Sequence, residues 1–291
     1  DAALRHHEPE AVERYRAALA GEIAFHTYVQ YLFFTQWMEF KAEVNRQGVK
    51  LIGDLPIYVS LDSADVWSER KEFLLDAEGR PEKVAGVPPD YFSEEGQLWG
   101  NPLYDWAAQR ADGFGWWIRR VEGASHLFDA IRIDHFRAFE SYWAVPAGAE
   151  SAREGAWEKG PGMSLLGVLT SWFPNITYIA EDLGLLTDAV HQLREEAGLP
   201  GMKVLEFAFS DPANAYLPHN YSRQCICYTG THDNDTVLGW YDNAEPAERA
   251  FAERYLGVRG REAVRKALLR LGQGSVAELF VAQMQDYLAL G

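Results

Sequence analysis

Three short acidic segments stand in order along the chain: Arg132-Ile133-Asp134-His135, Ala180-Glu181-Asp182-Leu183-Gly184 and Gly230-Thr231-His232-Asp233-Asn234-Asp235. Each falls at the C-terminal tip of a segment patterned as a β-strand. A carboxylate at the mouth of a buried strand needs a task or a partner, because desolvation otherwise penalises it or shifts its pKa. Asp134 follows the alternating run Phe128 to Ile133, and strand geometry sets Arg132 on the same face, two residues before it. A cation there keeps the carboxylate ionised, the state a nucleophile needs to attack an anomeric carbon and form a glycosyl ester. A structural ion pair fits the same two residues.

Glu181 ends the apolar run Tyr178-Ile179-Ala180, whose environment should raise its pKa and let it carry a proton to a glycosidic oxygen. It is the candidate general acid and base. Asp182 points to the opposite side of the strand and suits a helix cap or a structural acceptor. Asp233 is read as a stabiliser of transition-state charge and His232 as a donor to sugar hydroxyls, with Asp235 capping the helical stretch that follows. The acid-rich turn could also suggest a metal, but one His and two carboxylates packed so tightly leave few outward-facing ligands. Asp54, inside the apolar run Leu51 to Ile57, requires a partner, for which Arg132 is a candidate.

Those residues must be held by alternating strands and helices. Strand patterns cover Val49 to Val59, Phe128 to Ile133, Thr177 to Glu181, Met202 to Phe209 and Cys225 to Thr231, with a last apolar segment from Val276 to Leu290 that holds a helix, a strand or both. Helical periodicity covers Glu10 to Asn45, Phe114 to Leu127, Ser164 to Phe173, Thr187 to Ala197, Pro246 to Leu256 and Arg261 to Leu271. In the first helix, Phe33, Trp37, Phe40 and Val44 fall on one stripe, and Gly48 stands where a helix would stop. Such alternation implies right-handed parallel βαβ units with functional loops at the strands' C-terminal ends. The stretch from Ser60 to Gln109 shows no sustained period. It carries Pro88-Pro89, several glycines and many rings, and reads as either a lid or an ordinary packed excursion.

Composition narrows the partners. The 291 residues are 47% apolar and are expected to form one domain. With 43 acidic against 27 basic residues the net charge is −16, which disfavours nucleic acid and anionic membranes and suits a neutral substrate. Ten Trp and fourteen Tyr fill a core and supply flat rings for sugar faces. Cys225 and Cys227 lie on one face of a strand, a poor geometry for a mutual disulfide, so a reducing cytoplasm is expected. No apolar run approaches the ~20 residues that span a bilayer.

Taken together, the motifs closely resemble those of the 4-alpha-glucanotransferases, or amylomaltases, of the alpha-amylase superfamily. The resemblance rests on Gly53-Asp54-Leu55-Pro56-Ile57-Tyr58-Val59, Arg132-Ile133-Asp134-His135-Phe136-Arg137, Ile179-Ala180-Glu181-Asp182-Leu183-Gly184 and Thr231-His232-Asp233-Asn234-Asp235, in that order. It implies an α/β (β/α)8 TIM barrel, with Asp134 as nucleophile, Glu181 as acid/base and Asp233 as stabiliser. Arg132, His232, Asp54 and His135 would belong to the donor-sugar pocket. Tyr91, Phe92, Gln97 and Trp99 would hold or cover the glucan, on a family loop from Gly86 to Trp106 over the acceptor side. No metal and no organic cofactor is implied, and the expected partner is a maltodextrin. The chain opens on Asp1 and its first strand corresponds to the third of the barrel, so strands three to eight are expected, an incomplete barrel.

The implied reaction is a retaining double displacement, for which the two reacting carboxyl groups should stand about 5 to 5.5 Å apart. A glucan hydrolase of the same superfamily, an inactive glucan-binding protein and a divalent-metal hydrolase are the competing readings.

Overall fold

The ladder that orders the first acidic residues forms between two segments rich in β-branched and apolar side chains, Ile52–Leu55 and Ala130–Ile133, which pair in parallel. Their register sets Gly53 opposite Ile131 and Asp54 opposite Arg132. The fold is known from a computed structural model that describes residues 1–89, 93–184 and 186–291. Among the described residues ten strands form: β1 Ile52–Leu55, β2 Lys83–Val87, β3 Gln97–Pro102, β4 Ala130–Ile133, β5 Ser141–Pro146, β6 Ala156–Lys159, β7 Thr177–Ala180, β8 Gly201–Val204, β9 Cys225–Tyr228 and β10 Leu279–Val281. The chain divides into two compact units, Asp1–Tyr178 with Gly184–Leu193, and Ile179–Leu183 with Arg194–Gly291. β7 is the strand on which the chain passes from one to the other.

In the first unit β1 and β4 are connected by an excursion and the helix Gly115–Leu127. The Cβ that any other residue would carry at Gly53 falls 2.0 Å from the Phe128 ring, so glycine lets that ring lie flat against β1. The helix Ala20–Arg46 docks through Trp37, whose indole N–H donates to the Leu127 carbonyl at 2.8 Å. Lys41 donates to the Ser125, His126 and Phe128 carbonyls, satisfying the end of the Gly115–Leu127 helix with a cation.

Two expectations about this unit are corrected. The first predicted helix is broken at Leu19 into Pro9–Ala18 and Ala20–Arg46. Its expected stripe is only partly covered, since Trp37 and Val44 are half-buried whereas Phe33 and Phe40 are 44% and 48% exposed. The excursion from Ser60 to Gln109, read as lacking periodic structure, contains β2 and β3. These join β5 and β6 in an antiparallel sheet of order β3-β2-β5-β6. β3 is an edge strand, which is where Gly100 and Pro102 are tolerated. Beneath the C-terminal end of β1 lies an aromatic core of Tyr58, Phe73, Tyr104, Trp116, Trp117 and Phe139. Arg120 packs over Trp116 and Trp117 and donates to the Pro56 and Ile57 carbonyls as the chain leaves β1.

In the second unit β8, β9 and β10 form a parallel sheet of order β10-β9-β8. Ile179, Met202, Val204, Ile226 and Tyr228 form one core cluster. Leu205, Phe209, Val237, Val264 and Leu268 form another, under the helices Pro246–Leu256 and Arg261–Gln273. The predicted strand Met202 to Phe209 stops at Val204, and Leu205–Ser210 winds into a 3-10 helix. Leu205, Glu206, Ala208 and Phe209 are the buried positions there, and that spacing is helical rather than alternating. The terminal apolar segment yields both β10 and the helix Met284–Leu288. Cys225 and Cys227 are buried and free. Among the described residues no helix is long and apolar enough to cross a membrane.

Candidate active site

Because Asp54 and Arg132 are register partners on a parallel ladder, their side chains leave the same face side by side. Arg132 Nε donates to Asp54 Oδ1 at 2.8 Å and Nη2 to Asp54 Oδ2 at 2.7 Å, a bidentate pair. Nη2 also donates to Asp134 Oδ1 at 3.0 Å. The Arg132 side chain is 9% exposed and the two carboxylates 37% and 39%, so a buried cation presents two acids at the strand ends. The Asp134 amide extends the ladder by donating to the Leu55 carbonyl. This is the partner that the sequence required for Asp54, and the Arg132 to Asp134 contact foreseen from strand alternation.

His135 follows in the left-handed region, at φ 52° and ψ 47°, where non-glycine residues are uncommon. Its ring meets Trp99 edge to face at 4.8 Å, and Trp99 in turn meets Tyr58 at 6.2 Å. Burial, with Arg137 adding to it, pushes the imidazole down to about 3, so it is neutral across the physiological range. On β3, Trp99 Nε1 donates to the Gln97 side chain at 3.0 Å. Tyr91 and Phe92 lie outside the described residues.

In the second unit Glu181 is half-buried, and its Oε1 accepts the Leu183 amide at 3.1 Å. Asp182 is buried and accepts the Met202 amide at 2.6 Å, with Arg194 at 3.5 Å. It is therefore a structural acceptor. Gly201 leaves room for it, since a Cβ there would fall 2.3 Å from its Oδ2. His232 and Asp233 are exposed, with Nε2 and Oδ2 3.4 Å apart. Asn234 Oδ1 accepts the Thr231 amide and hydroxyl, and the Thr231 hydroxyl accepts the Asp233 amide, which shapes the turn. The helix Val237–Asn243 is capped by Thr236, not Asp235 as expected. The Thr236 side chain accepts the Gly239 amide, while Asp235 accepts Thr236 N and Asn243 Nδ2.

Sequence reading missed the residues that support this turn. Asp286, fully buried, accepts the Thr229 hydroxyl at 2.6 Å and the Val237 amide at 2.8 Å, tying together its two ends. Gln283 donates to the Thr231 and Asp235 carbonyls. Their signal was Asp286, an acid inside an apolar terminal segment that must find donors. Among the described residues no group of three or more His, Cys, Asp or Glu side chains is arranged to hold a metal ion.

Amylomaltase from Corynebacterium glutamicum shares the fold at 19% identity, with a TM-score of 0.75 over 89% of this chain and 42% of that one. Amylomaltase from Streptococcus agalactiae, solved in complex with acarbose, superposes with a TM-score of 0.96 at 38% identity, covering all of this chain and 59% of that one. The molecule is thus an α/β protein whose parallel ladders resemble part of an amylase-type barrel. The 4-alpha-glucanotransferase profile matches residues 1–291. The 4-alpha-glucanotransferase of Thermus thermophilus is 53% identical over 296 residues, 99% of this chain and 59% of the relative. That of Streptococcus pneumoniae is 46% identical over 292 residues, 100% of this chain and 58% of the relative. The chain belongs to the 4-alpha-glucanotransferase family. It spans somewhat under three-fifths of the length of these relatives.

Proposed function

We propose that the chain supports 4-alpha-glucanotransferase chemistry on maltodextrins, with its parallel strands β1, β4, β7, β8, β9 and β10 as the third to eighth of a (β/α)8 barrel. Glu181 protonates the glycosidic oxygen as Asp134 attacks the anomeric carbon, so that the leaving glucan departs and a glucosyl ester forms on Asp134. Glu181, now a base, takes the proton from the 4-hydroxyl of a second glucan, whose oxygen displaces Asp134. Configuration is inverted twice and therefore retained. Asp233 stabilises the positive charge on the sugar ring in both transition states, and His232 donates to sugar hydroxyls.

The observation that carries this reading is the Arg132 side chain between Asp54 and Asp134. A guanidinium already committed to Asp54 by two bonds is fixed in orientation, so its third bond aims the Asp134 carboxylate and favours its anion. Trp99, with His135 and Tyr58, supplies an aromatic wall suited to a sugar face, and Gln97 stands beside Trp99 to hold the acceptor. An acceptor side that holds sugar better than water favours transfer over hydrolysis. The acarbose complex of the Streptococcus agalactiae relative supports a saccharide-binding site. A cytoplasmic location belongs to the same proposal, supported by the two free cysteines.

Incubation with maltotriose tests it. Transfer yields glucose and longer chains at a constant number of reducing ends. A rise in reducing ends would instead identify a hydrolase, and maltodextrin binding with no product would leave only a binding role.

A further inference from the structure

Among the buried acids that take no part in the proposed mechanism is Glu206. It follows β8 on the 3-10 helix Leu205–Ser210 and is 8% exposed. Its backbone amide donates to the Thr229 carbonyl at 3.2 Å, and its carboxyl lies against Gly230. A Cβ at Gly230 would fall 2.9 Å from Oε1, so glycine there admits the carboxyl. Oε1 is buried with no hydrogen-bond partner among the described residues. Two acids disfavour a charge on it: Asp286, on the helix Met284–Leu288, and Asp235, on the turn itself. β9 contributes the thiols of Cys225 and Cys227 and the Tyr228 phenol but no charge at neutral pH. Arg265, the cation packed against Asp286, is directed to the Asp286 carbonyl and to Glu262.

We propose that Glu206 is a positioning residue, whose carboxyl against Gly230 holds the turn that carries His232 and Asp233 and gives way when it ionises. This rests on the glucanotransferase reading only in what the turn is for. An ionised Oε1 would be buried, unpaired and opposed by two acids, an arrangement that expels either the charge or the group. Burial first, then Asp286 and Asp235, push the carboxyl up to about 8 from an ordinary 4.5, so the neutral acid is the form that fills the site at neutral pH. Above that value the third negative charge drives Glu206 and Gly230 apart, and Asp233, only three residues beyond, loses its fixed position.

The test compares the wild-type chain with Glu206→Gln, which keeps the shape of the neutral acid and cannot ionise. For a group titrating near 8, wild-type kcat on maltotriose should fall about tenfold from pH 6.5 to pH 9, whereas the variant should fall less than about twofold. Superimposable profiles would overturn the proposal. Amide hydrogen exchange of the wild-type chain gives a second readout that needs neither turnover nor a folded variant. Between pH 7 and pH 9, exchange across residues 229–235 should rise at least about fivefold more than across residues 264–269 in the helix Arg261–Gln273. Parallel changes in the two segments would refute the inference, whereas differential exchange without any turnover would refute the glucanotransferase reading alone.

Discussion

Arg132 grips Asp54 through two parallel hydrogen bonds, Nε to Oδ1 at 2.8 Å and Nη2 to Oδ2 at 2.7 Å, across directly paired positions of β1 and β4. The same Nη2 reaches Asp134. A lysine carries its charge as a point and cannot make the fork, so Arg132→Lys should keep the charge and lose the aim. A drop in kcat of about 100-fold, with a smaller change in KM, is expected from misplacing a reacting group. Steady-state kinetics on maltotriose check this, and near-wild-type kcat would mean that charge alone suffices.

His135 should behave as a neutral group throughout the working range. Its folded value, about 3, lies below the ordinary 6.5, so the stability it contributes is fully present above pH 6.5 and is lost as pH falls toward 3. Imidazole proton shifts followed by NMR between pH 5 and 8 should show no titration at this ring. A midpoint within that window would show that water reaches the ring beside Trp99.

Gly53→Ala tests the close approach that lets Phe128 cover β1. The added methyl would stand 2.0 Å from the ring, and backbone or ring must move. Overpacking of this kind costs about 1–3 kcal/mol. Thermal unfolding should move down by several degrees, and an unchanged transition would show that the ring relocates without loss.

Much of this arrangement was legible before the fold. The alternation of Phe128 to Ile133 gave the Arg132 and Asp134 face, and a lone Asp54 in an apolar run announced that it had a partner. Parallel register then converts the two statements into one contact. The antiparallel sheet was not legible, because β2 and β3 find β5 and β6 only across a long stretch of chain, and Gly100 and Pro102 disguise an edge strand as a loop. The face of the helix Ala20–Arg46 was misjudged for a different reason. Phe25, Tyr28, Tyr31, Phe34 and Met38 are as apolar as the stripe residues and are exposed, so periodicity placed Trp37 on the stripe but could not single it out with Lys41 as the docking face. The supports of the His232 and Asp233 turn were missed because Glu206 acts through burial, and Asp286 through the Thr229 hydroxyl and the Val237 amide, which leave no motif.

The most direct test of the catalytic assignment is chemical. A maltosyl fluoride carries its own leaving group and needs no acid, so with Glu181→Gln it should form the glycosyl ester and then stall for want of a base. Mass spectrometry of the quenched, digested protein should find the added saccharide on the peptide containing Asp134, and Asp134→Asn should abolish both this adduct and turnover, by at least about 10⁴-fold in kcat. An adduct on any other carboxylate, or undiminished transfer by Asp134→Asn, would contradict the account.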